Sequence, residues 1–144
     1  MLAIGSTIYV GESTRTNAEG IRQLSDLSSA YGYAVRPVKV SGCLHLKSAV
    51  TRVAEDVVLV NSTWVDSASI KGMHQIEVHP GEPFAANALW IGENVIYPRG
   101  YDETRRRLED NGINVHLVET DELQKAEGGV TCCSILISTH LAAD

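Results

Sequence analysis

Apolar and polar residues alternate with a period of two from Leu2 to Val10, interrupted at Gly5-Ser6, which predicts a hairpin turning on that dipeptide. The spacing then changes. Ile21, Leu24, Leu27 and Tyr31 recur every three or four residues behind Asn17. This predicts a helix capped by Asn17, buried along those four positions and stopped at Gly32. "YAVRPVKV" returns to a strand pattern, with Pro37 marking an unpaired or bulged position because proline has no N–H to give.

The same order of elements recurs twice more. "LHLKSAVTRVAEDVVLVN" reads as two strands about a turn near Ala54 to Asp56, followed by a short helical stretch, "VDSASIKGM", and the strand "HQIEVH". After the link "HPGEPFA", "NALWIGENVIYP" reads as a hairpin over Gly92-Glu93-Asn94. A helix from Asp102 to Asn111, ended by Gly112, and the strand "INVHLVE" complete the third unit. A short helix over Asp121 to Lys125 leads into a last apolar strand. The fold class is therefore α/β, with three ββαβ units at about 1–40, 42–79 and 85–118 and a closing strand at about 129–138, in one domain over 1–144.

Composition narrows the functional classes. A formal net charge of −6 and the absence of a basic face argue against a nucleic-acid partner. The triplet Arg105, Arg106 and Arg107 is interleaved with Glu103, Glu109 and Asp110, as on a solvated helix face. No apolar stretch reaches membrane-spanning length, and "MLAIGSTIYV" lacks the basic segment and cleavage site of a signal peptide. The expectation is a cytoplasmic protein with no membrane partner. Three cysteines, two of them adjacent, are expected to be free thiols.

Chemistry concentrates in a few positions. Cys132 follows Gly128, Gly129, Val130 and Thr131 at the mouth of the last strand, where glycines allow left-handed backbone or close approach to a ligand. Alternation would send Cys132 and Cys133 to opposite faces, one to a pocket and one to the core, although two buried thiols acting as small hydrophobes fit as well. His45, between Leu44 and Leu46, is a candidate proton carrier if it faces away from both leucines, and a core histidine otherwise. Arg15, just before the Asn17 cap, is either a surface cation or a carboxylate receptor at a helix start. Cys43, His45 and Cys132 together suggest zinc only weakly, because no Cys-x-x-Cys spacing is present. His74, His79, His116 and His140 read as surface residues.

"STRTN", "LHLKS", "EPFAANAL" and "KAEGGVTCCSILI", in this order and at these separations, resemble the C-terminal half of the dimethylarginine dimethylaminohydrolases, within the guanidino-group-modifying pentein superfamily. The resemblance spans Leu2 to Ile137. It implies an α/β propeller of five ββαβ modules, of which this chain carries about three. It also implies that Cys132 is the nucleophile and His45 the general acid and base. Arg15 would hold the substrate's α-carboxylate, while Ala126 and Glu127, where family members often carry Asp, would line its other polar end.

The implied reaction is hydrolysis of Nω-methylated arginines to citrulline and methylamine or dimethylamine, through a covalent thiouronium on the cysteine and with no metal or organic cofactor. An arginine deiminase or amidinotransferase of the same superfamily is the neighbouring reading, and a non-catalytic remnant that binds an arginine-like ligand or a partner chain is the alternative. Groups that the family places in its N-terminal half, including the acids that hold the guanidinium, do not appear in this sequence. The expectation is a chain inactive or nearly so by itself, which either self-associates or needs the complementary N-terminal half.

Overall fold

The computed structural model describes residues 1–137. Three small sheets follow one another along the chain, each with one antiparallel and one parallel pairing. In the first, β1 (Leu2–Ile4) and β2 (Thr7–Glu12) form the expected hairpin, with Gly5 at φ 54° in the turn. Helix α1 (Ala18–Ser29) then carries the chain over to β3 (Ala34–Lys39), parallel to β2. The Asn17 side chain accepts from the Gly20 N–H at 2.9 Å, satisfying one donor of the helix start.

The second sheet is built from β4 (Val50–Ala54), β5 (Val57–Val60) and β6 (His74–Glu77), its crossover reduced to a single 3-10 turn at Ser67–Ser69. The third contains β7 (Leu89–Ile91), β8 (Asn94–Pro98) and β9 (Asn114–Val118), with α3 (Asp102–Asp110) as the crossover. The one-turn helix α2 (Leu46–Ala49) precedes β4, and α4 (Asp121–Lys125) follows β9. The described residues thus form an α/β arc of three ββαβ units with no closed barrel.

The middle sheet is covered on both faces. Val58 and Val60 point into one buried cluster with Leu2, Tyr9, Val38 and Leu46, while Leu59 between them points into another with Ala85, Val95, Tyr97 and Leu108. The two-residue alternation of a strand produces this split, and each fully buried aliphatic side chain contributes about 1.5–3 kcal/mol. Polar bonds stitch the segment after β6 into the second cluster. The Thr51 hydroxyl, buried in β4, donates to the Ala86 carbonyl and accepts from the Ala88 N–H at 3.2 Å. The Tyr97 hydroxyl donates to the Ala85 carbonyl at 2.8 Å, and burial pushes that phenol far above the ordinary tyrosine range.

Four expectations need correction. Residues 46–49 are a helical turn, not strand, because the Ser48 N–H donates to the His45 carbonyl and the Val50 N–H to the Leu46 carbonyl. Helix α1 buries Ile21 and Ser28, with Leu24 partly covered, whereas Leu27 and Tyr31 are 71% and 81% exposed. The helix rests on β2 and β3, so the stripe Ile21, Leu24 and Ser28 faces them and Leu27 turns to solvent. Pro37 pairs with Val10 in unbroken register, which a strand at the sheet's edge tolerates because its outward side needs no donor. The closing strand is not formed over 129–137; residues 130–133 are turn and 134–137 irregular, with no strand of the described residues beside them to supply a ladder. Its last residue, 138, and His140 lie outside the described residues. Among the described residues no helix is long and apolar enough to cross a membrane.

Candidate functional site

A cavity of about 630 Å³ opens where the loops of the three units converge. Arg15, His45, Ala126, Glu127 and Cys132 all line it, although they come from three well separated stretches of chain. A separate hollow of about 650 Å³, lined by Glu12, Lys39 and Trp64 among others, contains none of the five.

Each residue is held by local bonding that follows from its neighbours. Ser13 and Thr16 bridge backbone to backbone, and the Ser13 hydroxyl accepts from the Arg15 N–H while donating to the Leu44 carbonyl at 2.9 Å. The Arg15 turn is thereby tied to the His45 segment. His45 itself has extended backbone, φ −128° and ψ 140°, and immediately precedes α2. Leu46 anchors that helix in the core at 2% exposure, while the His45 side is exposed toward the cavity. Gly42, three residues earlier, adopts φ 73°, and a Cβ there would lie 2.3 Å from the Trp64 ring, so both geometry and space require glycine.

Also lining the cavity, the end of α4 is a hydrogen-bonded reversal. The Gly128 N–H donates to the Leu123 carbonyl at 2.8 Å and the Glu127 N–H to the Gln124 carbonyl. This places Glu127 at φ 56°, the left-handed region, where it is the sole non-glycine among the described residues. The glycine pair that follows therefore serves close approach and not an unusual turn. A Cβ on Gly128 would lie 3.2 Å from the Leu123 carbonyl oxygen, and one on Gly129 would lie 2.7 Å from the Asn87 side chain.

Cys132 sits in the next turn, its N–H donating to the Gly129 carbonyl, rather than at a strand mouth. Cys132 and Cys133 are both exposed, so neither is a core hydrophobe. Cys43 also lines the cavity, and there burial pushes the thiol pKa up, partly offset by a backbone hydrogen bond at His45 that favours the thiolate. All three cysteines are free. Among the described residues no group of three or more His, Cys, Asp or Glu is arranged to hold a metal ion. His74 and His116 are exposed as expected, whereas His79 is half-buried and its Nδ1 accepts from the Gly81 N–H.

The cavity wall includes residues to which the sequence alone assigned no part. Asn87, Tyr101, Thr120 and Gln124 line it, as does Phe84, which meets the Trp64 ring edge to face at 4.9 Å. Asn87 lies inside "EPFAANAL", a stretch legible as part of a family signature but with no charge or nucleophile to flag a role. Among the described residues that line it, Arg15 is the one permanent cation and Glu127 the one carboxylate. A guanidinium entering this space would meet a single fixed negative charge among those residues.

No protein-family model matches the chain. It is 35% identical over 135 residues to the N(G),N(G)-dimethylarginine dimethylaminohydrolase of Pseudomonas aeruginosa, covering 94% of this chain and 53% of that one. Against the Streptomyces coelicolor protein of the same name the identity is 37%, covering 94% and 52%. The chain spans about half the length of the curated relatives it matches. Among solved structures, a cysteine-to-serine variant of the Pseudomonas aeruginosa enzyme complexed with citrulline superposes with a TM-score of 0.83 at 34% identity, over 91% of this chain and 51% of that one. A dimethylarginine dimethylaminohydrolase with a histidine-to-glycine change, solved as an adduct with S-methyl-L-thiocitrulline, gives the same TM-score and identity over 91% and 52%. An amidinotransferase of saxitoxin biosynthesis from Microseira wollei shares the fold at 20% identity and a TM-score of 0.80. The resemblance read from the four motifs is borne out, and so is the partial α/β propeller.

Proposed function

We propose that this cavity is the thiol and imidazole side of a site that hydrolyses Nω-methylated arginines. The observation that carries the reading is the convergence on one cavity of the five residues that the motifs single out. The replaced cysteine and histidine of the two solved relatives lie the same interval apart in sequence as Cys132 and His45, which adds support.

The chemistry follows from the residue types. The Cys132 thiolate attacks the guanidinium carbon and forms a C–S bond. The C–N bond to methylamine or dimethylamine breaks, and His45 gives the departing nitrogen a proton. His45 then takes a proton from water, whose oxygen attacks the same carbon. The C–S bond breaks, and citrulline leaves with the thiolate restored. Arg15 offers a bidentate fork to the amino acid's α-carboxylate, and the Ala126 and Glu127 backbone and side chain border the opposite end. Free thiols at the site suit a reducing compartment such as the cytoplasm.

One carboxylate in the cavity also bears on activity. Bringing a guanidinium out of water with too few anionic partners costs several kcal/mol, an order of magnitude set by the desolvation of buried ions. The chain by itself therefore binds and reacts weakly, and a complementary chain or a second copy supplies the remaining acids.

Intact-mass measurement with S-methyl-L-thiocitrulline tests the reading. An adduct on Cys132 is expected in the His45→Gly chain, where hydrolysis is blocked, and none in Cys132→Ser. No adduct at Cys132 under prolonged excess reagent would sink the assignment. Citrulline release by the chain alone at a rate typical of enzymes would overturn the requirement for further acids.

A further inference from the structure

We infer that Asn87 is a positioning residue that locks the Cys132 turn against the His45 helix, an inference resting on the reading of those two residues as the reacting pair. Its amide reaches both walls of the cavity at once. Nδ2 donates to the Lys47 carbonyl at 3.1 Å, within α2, and to the Thr131 hydroxyl at 2.9 Å. Oδ1 accepts from the Thr131 N–H at 3.1 Å. One half-buried side chain thus spans from the residue adjoining Cys132 to a residue two places beyond His45.

The remaining contacts fit a clamp. Asn87 is fixed by its own backbone neighbours, since Ala86 and Ala88 are both bonded to the buried Thr51 hydroxyl. On the far side, the missing Cβ of Gly129 leaves room for the amide, which a methyl group would strike at 2.7 Å. The Cys132 turn is not part of any strand, so it has no ladder to hold its place, and among the described residues the Asn87 bonds tie it to α2. Two separately folded walls must keep sulfur and imidazole in register for proton transfer, and displacements near an ångström are enough to lose reactivity.

The experiment compares Asn87→Ala, Thr131→Val and Thr131→Ser in the full chain, with two readouts. Hydrogen exchange at the Thr131 amide should rise at least about tenfold in Asn87→Ala, since the bond that protects it is gone. The second readout is the rate of Cys132 alkylation by chloroacetamidine, a cationic amidine, divided by the rate with neutral iodoacetamide. That ratio should fall about tenfold in Asn87→Ala and Thr131→Val and recover in Thr131→Ser, which keeps the hydroxyl. Unchanged exchange overturns the clamp. Faster exchange with an unchanged ratio, or failure of Thr131→Ser to recover, reduces Asn87 to a structural role and overturns positioning. If His45→Ala leaves the parental ratio intact, the thiol and imidazole reading fails instead, and exchange alone then decides whether the clamp exists.

Discussion

Replacing Thr51 with valine keeps the shape of the side chain and removes only its hydroxyl. In the native chain that oxygen is buried at 2% residue exposure, donates to the Ala86 carbonyl and accepts from the Ala88 N–H. Valine leaves both backbone groups dry and unpartnered, at about 1–3 kcal/mol each, against a gain of about 1 kcal/mol from the added methyl. The net expectation is a loss of roughly 1–5 kcal/mol, centred near 3, or about 3–17 °C in melting temperature for a chain of this length. Thr51→Ser keeps the hydroxyl and gives up one buried methyl, about 1 kcal/mol and about 3 °C. Thermal and urea unfolding of the three chains, followed by circular dichroism, should rank parent above serine above valine. If valine is the more stable of the two variants, apolar burial outweighs the hydrogen bonds at this seam and the reasoning fails.

Two further changes probe the site and its support. Glu127→Asn should raise stability by about 0.5–1 kcal/mol in urea unfolding, because asparagine tolerates the left-handed backbone better than glutamate. The same change should slow labelling of Cys132 by a cationic amidine relative to a neutral reagent; equal or lower stability would refute the strain. Glu82 accepts from the Glu103 and Thr104 N–H groups at the start of α3, at 3.1 and 2.8 Å, and so caps a helix that Tyr101 leaves uncapped. Burial pushes its carboxyl up, but those bonds, one from the Thr104 side chain and nearby His79 outweigh this and hold it below its ordinary 4.5. The stabilisation is thus full above pH 4.5 and drains away as pH falls through the folded-state value. Glu82→Gln should cost about 0.5–2 kcal/mol at neutral pH, with the gap to the parent narrowing in acid; a gap that stays constant on acidification would refute the carboxylate's part.

The repeated pattern was legible because it depends on short-range rules. The Gly5 turn, the Asn17 cap and the Gly92 hairpin are local, and each formed where the pattern placed it. The helix over 46–49 was not legible, because Leu46, Ala49 and Val50 are all apolar and buried and their spacing suits a strand as well as a turn. Burial decided between them, and burial comes from the neighbouring units. The same limit explains Leu27 and Tyr31, whose periodicity matched a buried stripe that the sheet covers elsewhere. At the cavity, reactive residue types announced Cys132, His45 and Arg15, whereas Asn87 carries neither charge nor nucleophile and its part is visible only once residues forty positions apart are brought together.

The middle sheet, clothed on both sides, sets a rule for how such chains can be rearranged. Its β5 residues serve two neighbours at once, Val58 and Val60 one and Leu59 the other. A graft that exchanges an outer unit between homologues has one contact surface to match; a graft of the central unit has two, and a conservative swap at a single valine must satisfy both tenants. Drift among chains built on this arc should therefore be slowest at its centre and freest toward its rims, whatever chemistry the loops come to perform.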